Sequence, residues 1–185
     1  GIKVSYGFDG KNIPADADLV IYSSAFNSKT NVELAAAFSS EKKPISYAEA
    51  LGALFNSKIG IAVCGTHGKT TTSSMATVAL QSAGVDPSFA IGGILKSSGS
   101  NAHRGSGKFF VAEADESDGS FVAYHPHAAI ITNVEWDHVD HFATEADVFK
   151  VFEDFVDTIS GFLVCCADDN GASKVASTAN VKTIG

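Results

Sequence analysis

The residues of this chain best suited to chemistry lie in one short stretch, residues 65–72, with the sequence GTHGKTTT. It follows an apolar run, residues 60–64, that is typical of a buried strand, and it leads into a segment with helical character. A strand that turns through glycines into a helix directs several backbone N–H groups and the positive helix end at one point, which suits a polyphosphate. In such a loop Lys69 would contact the β- and γ-phosphates, and the Thr70 hydroxyl would bind Mg²⁺.

The match to the usual phosphate-loop pattern is partial, because that pattern has a glycine where this chain has Val63. A plain strand–turn–helix, with glycines serving only the bend, is the alternative. That alternative does not require Lys69 and Thr70 after the second glycine, so the sequence favours phosphate binding. The residues predicted to contact the nucleotide are Gly65, Thr66, His67, Gly68, Lys69, Thr70 and Thr71.

A second group of candidate residues follows two other predicted strands. Residues 108–113 form an apolar run that ends in Glu113, and the apolar residues 127–132 lead into a polar turn that contains His138. The carboxyl ends of neighbouring parallel strands share one crevice, so these turns are expected to meet the glycine loop. An acid at the tip of a buried strand beside a phosphate loop is a typical second holder of Mg²⁺, which gives Glu113 that role.

Strands and helices alternate along the chain, which predicts an α/β fold with a parallel sheet. The polar link at residues 56–58 divides it into a first domain, residues 1–57, and a second, residues 58–185. The predicted strands comprise residues 2–5, 17–22, 44–46, 60–64, 89–91, 108–113, 127–132, 162–167 and 181–184. The predicted helices comprise residues 32–40, 47–55, 69–83, 144–159 and 173–177, and residues 96–107 are expected to be a loop.

Composition excludes several classes of protein. The 185 residues carry a net charge of −8, with no cluster of Lys or Arg, which argues against a nucleic-acid groove or an anionic membrane surface. Three cysteines provide neither a disulfide framework nor a zinc site. There is no signal peptide and no apolar run of transmembrane length, so we expect a cytoplasmic location.

The histidines leave a different enzyme class open. His138 lies in the sequence DHVDH, and His125 and His127 lie upstream, which together could indicate a hydrolase with two transition metals. However, His125 and His127 precede a predicted strand, whereas Glu113 ends one. They are therefore expected at the opposite edge of the sheet, which disfavours the hydrolase.

Three motifs together resemble the ATP-dependent Mur ligases of peptidoglycan synthesis. They are GTHGKTTT at residues 65–72, EADESDGSF at residues 113–121 and TNVEWDH at residues 132–138. A turn at Ser23, Ser24 and Ala25, after a predicted strand, fits the same pattern, so the resemblance extends over nearly the whole chain. Within the family it favours the members that add L-alanine to UDP-N-acetylmuramate, with the ligase that recycles murein tripeptide as the alternative.

This resemblance implies an enzyme of three domains: a Rossmann-like UDP-binding domain, a central P-loop ATPase domain and a C-terminal domain. The chain would correspond to the end of the first and most of the second, and by itself is expected to be inactive, acting at most as a nucleotide-binding module. ATP and Mg²⁺ are the implied cofactors, and Lys69, Glu113 and His138 the implied catalytic residues. Thr70 and Glu113 would hold one Mg²⁺ ion, and His138 a second. The implied contacts to the UDP-sugar are Ser23, Ser24, Ala25, Asn101, Asp115 and Ser117.

Overall fold

A computed structural model describes residues 2–117, 120–137 and 142–185, and its contacts divide the chain into two compact units. The first unit is Gly1–Leu51 and the second is Gly52–Gly185. The division falls inside a helix, α2 (Tyr47–Asn56). The assignment of residues 1–57 and 58–185 to two separate domains therefore stays a prediction. None of the described helices is long and apolar enough to cross a membrane.

The first unit contains a short parallel strand pair and a helix whose start is capped by a side chain. Its elements are a 3₁₀ helix at Gly10–Asn12, β1 (Ile21–Tyr22), α1 (Val32–Ser39) and β2 (Ile45–Ser46). β1 and β2 pair in parallel. The Asn31 side chain accepts a hydrogen bond of 2.9 Å from the Leu34 N–H and so begins α1.

Two strands predicted in the first unit differ in the structure. Residues 2–5 form no strand, and Ile2 is 94% exposed. The strand predicted at residues 17–22 is limited to β1. A strand requires a hydrogen-bonded neighbour, and among the described residues β1 finds one only over the two residues of β2. Apolar composition alone does not provide that neighbour.

The second unit is a seven-stranded, mostly parallel sheet with helices. Its strands are β3 (Ile59–Cys64), β4 (Ser88–Leu95), β5 (Ser100–His103), β6 (Phe109–Glu113), β7 (Ala128–Ile131), β8 (Phe162–Cys165) and β9 (Lys182–Ile184). Their order across the sheet is β5-β4-β6-β3-β7-β8-β9. Only the edge pair β4–β5 is antiparallel. The predicted parallel α/β fold is confirmed, and β3, which leads into the glycine loop, lies at the centre.

β5 corrects the prediction that residues 96–107 form a loop. Its Ser- and Asn-containing sequence lacks the apolar alternation of a strand, yet Ala102 pairs with Ala90 and His103 with Phe89 of β4. At the base of this hairpin Gly105 approaches the backbone of Asp86 and Pro87 so closely that a Cβ atom would overlap it. The pairing therefore depends on tertiary contacts that composition does not reveal.

The helices of the second unit are α3 (Lys69–Ser82), α4 (Glu145–Val156) and α5 (Asn170–Ala176), with a 3₁₀ helix at Ser120–Ala123. α4 begins with a capping box, in which Thr144 and Asp147 bond to each other's backbone N–H. α3 packs Ala76 and Leu80 against an apolar cluster from the sheet. Burial of these apolar faces fixes the helices on the sheet and so holds the loop before α3 in place.

The register of the central strands brings the carboxyl ends of three strands together. Val63 of β3 lies beside Glu113 of β6, and Cys64 lies beside Ile131 of β7. The residues that follow Cys64, Glu113 and Ile131 are therefore neighbours. This is the convergence that the sequence predicts from the positions of its polar turns.

Candidate functional site

The loop between β3 and α3 has the backbone geometry of an anion cradle. Gly65 and Gly68 have φ angles of 128° and 84°, in the region that favours glycine. Gly65 also lies so close to the Thr132 hydroxyl that a Cβ atom would overlap it. Gly68 is the N-cap of α3 and has no side chain to bond the N–H groups of the first helical turn. Those N–H groups are left for an anion.

The structure explains why Val63 replaces the glycine of the usual phosphate-loop pattern. Val63 is fully buried in β3, and the strand continues to Cys64 before the chain turns. The turn thus occupies only residues 65–68. A side chain that points into the core is suitable at residue 63, because the loop has not yet begun there.

The segment after β7 braces the loop through hydrogen bonds. The Asn133 side chain accepts a bond of 2.8 Å from the His67 N–H and donates one of 3.0 Å to the His67 carbonyl. The Thr132 hydroxyl donates to the same carbonyl at 2.6 Å. The buried Thr66 hydroxyl accepts from the Glu135 N–H at 2.9 Å. These bonds fix the peptide planes of the loop before any ligand arrives.

Lys69, the first residue of α3, forms a largely buried ion pair with Glu116. Its Nζ lies 2.9 and 3.0 Å from the two carboxylate oxygens and donates to the Gly65 carbonyl at 2.8 Å. The side chains are 14% and 3% exposed. The lysine therefore lies across the loop, at the place where a phosphate chain would need its charge.

Burial governs the titration of the groups around this ion pair. Burial raises the pKa of the Glu116 carboxyl, and the hydrogen bond from Lys69 opposes that effect without cancelling it. The pKa of the Cys64 thiol is also raised, first by its complete burial and then by the negative charge of Glu116. Cys64 is therefore a protonated core residue rather than a nucleophile.

Thr70 and Glu113 form the second part of the site. The Thr70 hydroxyl donates to Glu113 Oε1 at 2.9 Å, and the Gly92 N–H donates to Glu113 Oε2 at 2.6 Å. A Cβ atom on Gly92 would lie 2.9 Å from both carboxylate oxygens and 3.0 Å from the hydroxyl. A hydroxyl and a carboxylate are hard oxygen donors of the kind that Mg²⁺ prefers, so this pair fits the predicted magnesium role.

The remaining predicted residues of the second unit lie on the surface. His67, Thr71 and Asp115 are exposed, and Ser117 is half-buried, with its N–H bonded to Asp115 Oδ1 at 3.0 Å. Asn101 is exposed in β5, at the edge of the sheet. Among the described residues, no hydrogen bond joins the side chains of these residues to Lys69 or Glu113. Their contacts to the substrate therefore stay predictions.

In the first unit, Ser23, Ser24 and Ala25 form an exposed turn directly after β1. The Ser23 hydroxyl accepts a bond of 3.3 Å from the Ala25 N–H. Ser23 also lines a mostly apolar cavity of about 210 Å³. Other residues that line it are Phe8, Tyr22, Phe26, Asn31 and Leu34.

The histidine predictions have different outcomes. His138 lies outside the described residues. The His127 N–H bonds to the carbonyl of Gly60 at 2.9 Å, at the start of β3, so the predicted separation of His127 from the loop is confirmed. Within residues 2–117, 120–137 and 142–185, no three His, Cys, Asp or Glu side chains lie close enough together to hold one metal ion.

Sequence reasoning missed three contributors to the site: Glu116, Asn133 and the N–H of Gly92. Glu116 lies in an acidic run of four acids in six residues, but the run does not show which of them turns inward. Asn133 directly follows a buried strand, which is a usable signal. The Gly92–Gly93 pair signals a close backbone approach, though not its partner, Glu113.

The comparisons with known proteins agree with this geometry. The profile of the Mur ligase middle domain matches residues 63–185. UDP-N-acetylmuramate–L-alanine ligases of Nocardioides sp. and Acidothermus cellulolyticus are 46% and 48% identical to this chain, over 95% and 97% of its length. The chain spans about two fifths of these relatives, 40% and 38% of their length respectively.

Solved structures share the fold and part of the sequence. The UDP-N-acetylmuramate:L-alanyl-gamma-D-glutamyl-meso-diaminopimelate ligase from Neisseria meningitides superposes with a TM-score of 0.83 at 29% identity, covering 96% of this chain and 61% of that one. The UDP-N-acetylmuramate-alanine ligase from Thermotoga maritima gives 0.77 at 28% identity, covering 97% and 41%. Because the profile matches more than half of the residues, the chain belongs to the Mur ligase family, with residues 63–185 in its middle domain.

Proposed function

We propose that the protein is an ATP-dependent ligase of peptidoglycan biosynthesis that joins L-alanine to the carboxylate of UDP-N-acetylmuramate in the cytoplasm. The observation that carries this proposal is the convergence of Lys69, Thr70 and Glu113 at the carboxyl end of the central strands. The identity of 46% and 48% with ligases named for this reaction supports the choice of substrates.

ATP is the nucleotide proposed for the glycine loop. The loop N–H groups and the N-terminus of α3 would bind the phosphate oxygens, and Lys69 would neutralise charge on the β- and γ-phosphates. Asn133 would keep the two peptide groups that flank His67 oriented for this contact. Phosphoryl transfer depends mainly on positioning and charge neutralisation, and both are available here.

Thr70 and Glu113 are the residues proposed to hold a Mg²⁺ ion, and family resemblance adds His138 for a second. The ion would supply positive charge that offsets the negative charge of the transferring group. Glu113 is oriented for this by the Gly92 N–H, which leaves Oε1 directed at the Thr70 hydroxyl. The Thr70 hydroxyl and Glu113 Oε1 already lie 2.9 Å apart, so both oxygens could contact one ion after a small movement of their side chains.

Ser23, Ser24 and Ala25 are the residues of the first unit proposed to contact the sugar nucleotide. Ser23, Ser24 and Ala25 follow β1, where open α/β sheets commonly bind ligands, and Ser23 borders an apolar cavity. By family resemblance, Asn101, Asp115 and Ser117 complete the contacts to this substrate.

The proposed reaction has two steps. The lactyl carboxylate oxygen attacks the γ-phosphorus of ATP, the bond to the bridging oxygen of ADP breaks, and an acyl phosphate forms. The neutral amine of L-alanine then attacks the acyl carbon. The amide C–N bond forms, the bond between the acyl carbon and the phosphate oxygen breaks, and inorganic phosphate leaves as the nitrogen gives up one proton. One ATP is thus converted into ADP and phosphate for each amide bond.

Release of inorganic phosphate by the full-length protein tests this proposal. We expect release to require ATP, UDP-N-acetylmuramate and L-alanine together, with the amide product detected by mass spectrometry. Release that occurs equally without the sugar nucleotide or without L-alanine would contradict the proposal.

A second ligase function is supported by a specific observation. The Neisseria meningitides structure, named for a tripeptide substrate, superposes with a TM-score of 0.83, compared with 0.77 for the alanine ligase structure. Both scores describe the shared fold, whereas the higher sequence identities are with alanine ligases. If the same assay accepts L-alanyl-γ-D-glutamyl-meso-diaminopimelate and rejects L-alanine, the recycling reaction replaces the proposed one.

A further inference from the structure

Among the described residues, Glu116 is the acidic group that pairs with the positive charge of Lys69. Both of its oxygens lie within 3.0 Å of Lys69 Nζ, and the residue is 2% exposed. The other contacts of the ammonium are backbone carbonyls of the loop, from Gly65 at 2.8 Å and Thr66 at 3.4 Å. Lys69 is thus provided with an anion by the protein itself.

A bound triphosphate would compete with this arrangement. Its β- and γ-oxygens need the same ammonium, and their negative charge would approach a carboxylate that is shielded from water. Two negative charges a few ångströms apart near a protein surface repel each other, and water screens that repulsion only partly. Sharing Lys69 between the carboxylate and the phosphates therefore carries a cost that the nucleotide must overcome.

We propose that Glu116 is an internal counter-ion of the phosphate loop, which holds Lys69 when no nucleotide is bound and loses that contact to the phosphates when one binds. The inference rests on the proposed nucleotide site and assigns Glu116 a positioning role that acts through Lys69. It explains why a carboxylate without a metal role is buried against the loop. A charged ammonium directed at an empty anion cradle would otherwise repel the positive end of α3.

The proposal predicts the direction in which substitution of Glu116 changes the affinity for Mg-ATP. Glu116→Gln keeps the size of the side chain and one acceptor oxygen, but removes the charge that competes with phosphate. We therefore expect tighter binding of Mg-ATP, by roughly tenfold, since part of the electrostatic cost disappears. A residue that merely supported the loop would give the opposite result, because its loss would weaken binding.

The decisive experiment is a double-mutant cycle measured by isothermal titration calorimetry with Mg-ATP at fixed ionic strength. The variants are Glu116→Gln, Lys69→Met and the combination, with circular dichroism to confirm folding. We expect Glu116→Gln to tighten Mg-ATP binding when Lys69 is present and to change it little in the Lys69→Met background. The reason is that the carboxylate and the phosphates compete for the Lys69 ammonium. Glu135→Gln is the control. The Glu135 carboxylate is exposed and lies beside the loop, so this substitution removes the same charge without touching Lys69.

The outcomes separate the inference from the proposed function. If the wild-type chain binds Mg-ATP and Glu116→Gln leaves its affinity unchanged or weaker, the counter-ion role is wrong while the nucleotide site remains. Equal tightening in both lysine backgrounds, or in Glu135→Gln, would also overturn it, because general charge repulsion would then suffice. Absence of binding by the wild-type chain would count against the nucleotide site itself. If Glu116→Gln does not fold, Glu116→Ala, which also removes the charge, replaces it in the cycle, with a change in the same direction expected.

Discussion

Asn133 bonds to both backbone polar groups of His67, the N–H and the carbonyl. Its Oδ1 accepts from the His67 N–H at 2.8 Å, and its Nδ2 donates to the His67 carbonyl at 3.0 Å. One side chain that follows β7 thus fixes the centre of the loop that follows β3. The preorganisation of the loop depends on this contact between neighbouring strand ends.

Replacement of this amide is predicted to loosen the loop without unfolding the sheet. Asn133→Ala removes two hydrogen bonds and should lower the free energy of unfolding by about 1–3 kcal/mol. It should also weaken Mg-ATP binding, because the N–H groups of the loop must then be ordered by the ligand. Urea unfolding and calorimetric titration measure the two effects. Asn180→Ala, at an exposed asparagine bonded to Asp157, is the control; equal losses in both variants would contradict the special role of Asn133.

The close approach of β4 to Glu113 predicts a strict requirement for glycine at position 92. Gly92→Ala would place a methyl group 2.9 Å from both Glu113 oxygens and 3.0 Å from the Thr70 hydroxyl. We expect the Mg²⁺ enhancement of ATP affinity to fall by roughly tenfold, as is typical when the orientation of a metal ligand is disturbed. Calorimetric titration with and without Mg²⁺ measures this. Ile94→Ala, at a side chain of β4 that is 71% exposed, should behave as wild type, and a normal Mg²⁺ response in Gly92→Ala would refute the argument.

The Thr70 hydroxyl can be tested with a matched pair of variants. Thr70→Val keeps the shape but loses the oxygen that donates to Glu113 at 2.9 Å, whereas Thr70→Ser keeps that oxygen. We expect only the valine variant to lose the Mg²⁺ dependence of nucleotide binding, since Mg²⁺ requires oxygen ligands. The measurement is the ATP affinity across a Mg²⁺ series. Similar behaviour of the two variants would show that the hydroxyl is not a ligand.

The hairpin of β4 and β5 predicts a pH effect on stability. The pKa of Asp86 is lowered from 3.8 to about 2, first by the Ser106 N–H and then by the His103 ring. A lowered pKa in the folded state adds stability that is present above the unfolded pKa and is lost as the pH falls through the folded one. Asp86→Asn should therefore lower the free energy of unfolding at neutral pH and flatten its decline between pH 3.8 and about 2.

Denaturant unfolding at a series of pH values measures this effect. Asp168→Asn, at an exposed aspartate of the same unit, should retain the acid dependence of the wild type. If the Asp86→Asn curve instead runs parallel to that of the wild type over this pH range, the hydrogen bonds to Asp86 do not contribute in the way proposed.

Features that depend on neighbouring residues could be predicted from the local sequence. The glycines and Lys69–Thr70 predicted the loop before α3, because a turn is determined by adjacent residues. The position of Glu113 was predicted for a different reason. The carboxyl ends of parallel strands meet, so an acid after an apolar run could be placed near the loop.

Other features depend on partners that are distant in sequence. Glu116 is the acid that pairs with Lys69, although nothing in the local sequence distinguishes it from the other acids of the same run. β5 is a strand because β4 provides its partner, and residues 2–5 are not one because none of the described residues pairs with them. Composition cannot encode such pairings, since they arise from packing over the whole unit.

The proposed function depends above all on binding of Mg-ATP at residues 65–72 through Lys69. The most direct measurement is calorimetric titration of the wild-type chain and Lys69→Met with ATP, in the presence and absence of Mg²⁺. We expect Mg²⁺-dependent binding by the wild type. Lys69→Met should weaken it between tenfold and a hundredfold, which corresponds to the range of about 1.5–3 kcal/mol for hydrogen bonds to a charged group. Absence of binding, or binding that is unchanged by Lys69→Met, would contradict it.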